Sequence, residues 1–370
     1  MTSDELLRYR IALNLVPGIG DVLIRNLVSY CGSEEGVFKE KYSKLQKIPG
    51  IGEILAKNIF NFKNFERAEQ EIEFIKKHQI RPIFYLDKEY PQRLHDCLDA
   101  PNMLFSLGNT DLNLTRIVAI VGTRNASEYG RQFTQQLIEA LRPKGVLIVS
   151  GLAMGIDAMA HRYALENELP TIGVLAHGLD RLYPPQNKSL AKKMLDQGGL
   201  LTEYISGTNP DRENFPKRNR IVAGMCDALV LVETAIKGGA RITAEIAHSY
   251  NKDVFCVPGR VNDYYSQGCN YLIQANKAAM LCTPDDLIET MNWGEKKAMV
   301  QSISKQAQLF NQLMEEDQLL LTYIRSKVKV GVDTMAFELQ IDPGNLALKL
   351  LELEFNGLLR SLPGKVYEMA

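Results

Sequence analysis

The spacing of apolar residues changes twice along the chain, and the changes divide it. In residues 1–65 apolar positions recur three and four apart, the spacing that turns one face of a helix toward a core. The pattern comes twice, as LVPGIGDVLIRNLV from Leu15 and KIPGIGEILAKNIF from Lys47. Each copy has a run ended by Pro-Gly-Ile-Gly and a second amphipathic run after it, which reads as a tandem helix-hairpin-helix. From Arg116 the character shifts to short β-branched runs (RIVAIVG, GVLIVSG, LPTIGVLAHG, CDALVLVE, KDVFCVPG) separated by helix-like stretches. That alternation predicts a mainly parallel sheet with helices on both faces. After Trp293 the pattern is helical again, and it closes on the turn-containing SLPGKVYEMA.

The expected architecture is α/β. A Rossmann-like domain at 111–290 follows an N-terminal helical (helix-hairpin-helix/SAM-like) domain at 1–65, and a winged-helix-like domain at 302–370 comes last. Residues 66–110 read as a connector, because Pro91 and Pro101 break any long helix there.

Composition narrows the function classes. No apolar run approaches the roughly 20 residues that span a bilayer, and SDELLRYRIALNLV is too charged for a signal peptide, so no membrane contact and a cytoplasmic location are expected. The six cysteines form no CxxC pair, which fits reduced core thiols and leaves no expected metal site. A net charge of −1 provides no general basic field, so any nucleic-acid site has to be local. The C-terminal segment carries more acids than bases and is the least suited to phosphate.

In an open parallel sheet, ligands bind beyond the carboxyl ends of the strands. Here those ends read Gly122-Thr123-Arg124, Ser150-Gly151 with Gly155, His177-Gly178, Glu203, Glu233 to Gly239, and Pro258-Gly259. Small residues let backbone N–H groups approach an anion, and Arg124 adds a guanidinium fork. The dinucleotide pattern Gly-x-Gly-x-x-Gly with a following acid is missing, and so is a P-loop, so no cofactor is expected. Asp157 and His161, four apart on one helix, have the form of an acid-base pair, but they read better as groups that fix the helix and loop internally.

The sharpest local signal is NFPKRNRIVAGM, in which Lys217, Arg218 and Arg220 follow Phe215 and flank Asn219. Cations that track a backbone beside a ring that stacks a base are what single-stranded nucleic acid uses. A solvated helix start with a buried Phe is the competing reading. The hairpins of the first segment are open in the same way between phosphate contact and simple packing.

From Tyr90 onward the chain resembles the DprA (Smf) family in the blocks YPQRLHDCLDAPNMLFSLGN, VAIVGTRNASEYG, IVSGLAMGIDAMAHRYAL, GLDRLYPPQNKSLA, FPKRNRIVAG, TAEIAHSYNKDVFCVPG and SQGCNYLI. The resemblance implies a homodimeric, non-enzymatic protein that binds single-stranded DNA and loads RecA during natural transformation. By position in the family motifs, Gly122, Thr123, Arg124, Ser150 and Gly151 would contact phosphate, and Lys188 with Phe215, Lys217, Arg218, Asn219 and Arg220 would complete the path. Two places depart from the family pattern, Gly238-Gly239-Ala240-Arg241 and Asn276-Lys277. The Gly-Gly turn is also similar to that of nucleotide-cleaving Rossmann-like enzymes, which makes a nucleotide sensor or hydrolase the alternative.

Overall fold

A computed structural model describes residues 3–294, 315–327, 329–355, 358–362 and 365–369. They form two units, 1–293 and 294–370. The first opens with helices α1 (Ser3–Leu15), α2 (Asp21–Cys31), α3 (Glu34–Lys39), α4 (Tyr42–Leu45), α5 (Glu53–Phe60) and α6 (Phe65–Lys77). The repeated Pro-Gly-Ile-Gly turns precede α2 and α5. Gly18 and Gly50 take φ of +79° and +83°, which a side chain would strain. Each turn lies against the other copy, Gly18 against Leu55 and Gly50 against Leu23, so the repeat builds a paired unit with its own core around Leu13, Ile24, Leu27, Ile51 and Ile59.

The rest of the unit is one nine-stranded sheet. Its strands are β1 (Arg81–Phe84), β2 (Met103–Gly108), β3 (Ile117–Val121), β4 (Leu147–Ser150), β5 (Thr171–Val174), β6 (Gly199–Thr202), β7 (Ala228–Leu231), β8 (Asp253–Cys256) and β9 (Ala279–Met280). The helices between and after them are α7 (Glu128–Leu141), α8 (Ile156–Glu166), α9 (Lys188–Gln197), α10 (Asn214–Met225), α11 (Gly239–Ser249), α12 (Gln267–Gln274) and α13 (Pro284–Thr290).

The strand order is β1-β2-β6-β5-β4-β3-β7-β8-β9. Strands β6 through β9 in that order pair in parallel, and β1 and β2 add to the β6 edge antiparallel. The stretch read from sequence as a connector therefore also supplies two strands of the sheet. Alternate residues of β3 go to opposite faces, as the two-residue period requires. Ile117, Ala119 and Val121 pack under α10, α11 and α12, whereas Val118 and Ile120 pack under α7 and α8.

The helical module is docked onto this sheet through α2. The Asp21 carboxylate accepts from the Asn102 backbone N–H at 2.8 Å, and the Asn102 side-chain amide donates to the Asp21 carbonyl at 2.8 Å. Arg25 donates to the Asn102 side chain at 3.2 Å and to the Ala100 carbonyl. The first hairpin helix is thus committed to an internal contact.

The second unit comprises α14 (Glu315–Lys327), β10 (Lys329–Gly331), α15 (Val332–Leu339), α16 (Pro343–Phe355), β11 (Leu359–Leu362) and β12 (Val366–Met369). Its three strands lie in the antiparallel order β10-β12-β11, and the core holds Leu320, Ile324, Met335, Leu346, Leu350 and Leu353. Three helices with a small antiparallel sheet are the arrangement of a winged helix.

Candidate nucleic-acid interface

The chain leaves β3 toward β4 on one side and, four strands later, returns to β7 on the other. Such a switch point opens a crevice at the strand ends. A crevice of about 330 Å³ lies there, lined by Gly122, Thr123 and Arg124 after β3, Gly151 and Ala153 after β4, and Thr234, Ala235 and Gly238 to Ala240 around the start of α11, with α10 above it. The loops are fastened to one another. Thr123 N–H donates to the Glu233 carbonyl at 2.7 Å, and Ile156 N–H donates to the Thr123 carbonyl at 3.1 Å. At Gly155, φ is +79° and a side chain would overlap the carbonyl of Thr123, so only glycine lets the β4 loop lie this close to the β3 loop. Ser127 caps α7 and its hydroxyl and N–H both donate to the buried Glu233 carboxylate, which fixes the outer edge of the β3 loop.

Two features suit the crevice to an anion. Helix α11 opens at Gly238 without a side-chain cap, so its first-turn N–H groups border the crevice with the positive end of the helix dipole. Arg124 is exposed at the rim, with its guanidinium 5.9 Å from the Phe215 ring centre. Tyr183 meets the same ring edge-on at 5.8 Å. Phe215 and Arg124, with Tyr183, also line a small 60 Å³ side cleft. His177 positions Tyr183: its Nε2 accepts from Tyr183 N–H at 3.2 Å, while Nδ1 donates to the Gly178 carbonyl at 2.9 Å, and burial lowers its pKa so that this neutral form holds.

The residues named from sequence separate into three groups. Gly122, Thr123, Arg124, Gly151, Phe215 and Asn219 line the crevice. Ser150 lies beneath it, whereas Arg218, though nearly buried, forms part of its lining. The Ser150 side chain is fully buried and its hydroxyl donates to the Ile120 carbonyl at 2.6 Å, so that hydroxyl is not presented to a ligand. Arg218 is 5% exposed and donates to the Gly151 carbonyl at 2.6 Å and to the Val174 carbonyl, tying α10 to the ends of β4 and β5. A side chain at Gly151 would come within 2.6 Å of that guanidinium. The expectation of a phosphate-tracking Arg218 gives way to a guanidinium that is largely part of the floor.

Asp157 completes this floor. Burial pushes its carboxyl up, while Arg218 pulls it down, and its Oδ2 accepts from Ala153 N–H at 3.3 Å. His161, fully buried, bonds through Nδ1 to the Thr171 hydroxyl at 2.6 Å, and burial together with Arg218 pushes its pKa down to about 3. His161 is thus held neutral in the interior, and Asp157 is fastened to the loop after β4, so both act internally.

The third group is absent from the crevice lining. A helix turns roughly 100° per residue, so 215, 219 and 222 share one flank of α10 and 217, 220 and 224 another. Arg220 donates to Glu203 and, at 3.2 Å, to Asp21 of the helical module. The reading of Lys217, Arg218 and Arg220 as one basic surface is therefore corrected: one helix distributes the three cations over different surroundings. Lys217 is exposed and acts on Glu203. Lys188 is exposed at the start of α9, next to Asn187, whose amide donates to the Leu152 carbonyl at 2.9 Å.

Sequence reasoning passed over Tyr183, Asn125 and Tyr265. The Asn125 side chain donates to the Tyr265 hydroxyl at 2.9 Å, and Tyr265 stands between the crevice and a wider basin of about 980 Å³. A tyrosine pair after Pro258-Gly259, at another strand end, was the signal available for Tyr265.

The fold has close counterparts among solved structures. The chain is 33% identical to DNA processing protein A from Streptococcus pneumoniae, with a TM-score of 0.67 over 76% of this chain and 97% of that one. DNA processing protein A from Helicobacter pylori, whose structure concerns its single-stranded DNA binding mode, is 30% identical with a TM-score of 0.53 over 58% of this chain and 95% of that one. Protein Smf of Synechocystis is 34% identical over 290 residues, covering 76% of this chain and 72% of the relative. The profile of the DNA recombination-mediator protein A family matches residues 81–292, more than half of the sequence, and the chain belongs to that family.

Proposed function

We propose that the protein binds single-stranded DNA in the crevice between the ends of β3, β4 and β7, and that a homodimer with two such crevices passes the strand to RecA. The observation that carries this reading is the grouping of Arg124, Phe215 and Tyr183 at the mouth of a glycine-walled crevice bordered by the α11 N-terminus. A cation beside a stacking ring grips backbone and base without reading sequence. At 330 Å³ the crevice stands at the low end of ligand-sized cavities, roughly 300–1,000 Å³, with room for one nucleotide unit and none for a duplex. The relatives from S. pneumoniae and H. pylori support the same reading.

Titration of fluorescent oligo-dT and of a blunt duplex at several salt concentrations tests it. Tighter binding of the single strand is expected, with a log-log salt slope of about −0.7 for each neutralised phosphate. Equal affinity for both would refute it. For the second step, the protein is expected to speed RecA ATPase on strands coated with single-strand-binding protein, and no effect at saturating DNA binding would leave only a protective role. Release of a free base from a nucleoside monophosphate would move the site to the nucleotide-hydrolase alternative.

A further inference from the structure

The winged-helix unit presents a surface that the DNA crevice does not explain. In a DNA-binding winged helix, the third helix enters the major groove, between two rows of phosphates. Here that helix is α16, PGNLALKLLELEF, and its apolar residues lie all round it. Leu346, Leu350 and Leu353 fill the core, whereas Leu348, Leu351 and Phe355 stand 67%, 58% and 92% exposed on the other side. Their spacing of three and four makes one stripe. A helix apolar on every side is ordinarily a buried one, so α16 is built for cover on both faces.

Charge identifies the cover. From Val332 to Phe355 the helix pair carries five carboxylates and one ammonium. The ammonium, Lys349, is 3.8 Å from Asp317. Among the acids, Asp333, Glu338, Asp342 and Glu352 are exposed, with Glu338 paired to Lys327. Against duplex DNA these groups would repel both phosphate rows. Against a second copy, a two-fold contact sets a patch against itself and would bring like charges together. We infer that the exposed face of α16 is a docking site for an amphipathic helix of a partner protein, with an apolar stripe to cover Leu348, Leu351 and Phe355 and with Lys or Arg on its flanks to meet the carboxylates. The unit is thereby an adaptor for a protein, separate from the strand-binding crevice.

The test uses the full chain and a labelled peptide of about five helical turns, with Leu on one face and Lys elsewhere. Controls are the same pattern with Glu for Lys, and the Leu/Lys composition in an order without a face. The Leu/Lys amphipathic peptide is expected to bind and the two controls to bind at least about tenfold more weakly. The exposed double substitution Leu351→Ser with Phe355→Ser is expected to lower affinity for it about tenfold or more by removing apolar contact. Glu352→Lys, which leaves the apolar stripe intact, is expected to weaken it severalfold and to do so less at high salt. Peptide binding unchanged in both variants would overturn the inference. So would a loss of duplex affinity in the variants, which would return the helix to DNA, or a change of sedimentation from dimer to monomer, which would give the stripe to a second copy.

Discussion

The two flanks of α10 use the same residue chemistry for opposite ends. On the crevice flank, Phe215 and Asn219 line the crevice, the Phe215 ring beside the exposed Arg124, and the cation there remains available to a ligand. On the other flank, Arg220 is consumed by Glu203 and Asp21 and holds the helical module to the sheet. Arg218, between them, forms part of the crevice floor and is held there by two carbonyls. A guanidinium is therefore informative about DNA contact only once its existing partners are counted. One helical turn separates a ligand group from a structural rivet.

The sharpest way to break this comparison is at Arg218. Arg218→Ala removes the counter-charge of buried Asp157 and leaves two carbonyls unpaired, so a loss of about 3–5 kcal/mol in folding stability is expected. Urea unfolding measures it. Strand binding lost without loss of stability would instead make Arg218 a ligand group. Arg124→Ala should behave the opposite way, with an unchanged unfolding midpoint and single-strand affinity lowered about tenfold, or about 1.4 kcal/mol, in the titration. An unchanged dissociation constant would remove Arg124 from the site.

The junction flank has a pH signature. Burial raises the pKa of Glu203 to about 7, against the pull of Arg220, because one guanidinium serves two carboxylates. A carboxyl whose folded pKa lies above its unfolded value favours folding most at low pH, and that contribution is lost as pH rises from about 4.5 to about 7. Glu203→Gln is thus expected to be more stable than the parent at pH 8 by about 1 kcal/mol and equal to it near pH 4. A parent more stable than the variant at pH 8 would show that the ion pair outweighs burial. The smallest effect is expected at Lys217, where alanine should change single-strand affinity by less than about twofold, or ~0.4 kcal/mol. A loss equal to that of Arg124→Ala would join the two flanks into one path.

These differences mark what the sequence could convey. Strand ends and their glycines were legible because a parallel core strand needs an unbroken apolar run, and the crevice follows from where the runs stop. The paired hairpins were legible from the repeat. Helical phase was the obstacle in NFPKRNRIVAGM: adjacency in sequence suggested one basic surface, whereas the turn of the helix separates its cations. Strands β1 and β2 were hidden because prolines lie within or beside them (Pro82, Pro101), and their place depends on antiparallel pairing of β2 with β6, nearly a hundred residues away in register at Phe105 and Thr202. His177 as the support of Tyr183 depends on a contact six residues distant through a loop, which no local pattern announces.

The rivet between Asp21 and Arg220 also orders events during synthesis. The two residues are 199 positions apart, and Asn102 reaches Asp21 across 81. The paired hairpins, with a core of their own, can close as they leave the ribosome, but the arginine that secures them to the sheet is made much later. Until β6 and α10 emerge, Met103 and Phe105 of β2 have no β6 beside them, and the chain holds an open strand edge. Formation of the Asp21–Arg220 ion pair is accordingly a closing step of folding rather than an opening one, as expected for a contact of such long sequence separation.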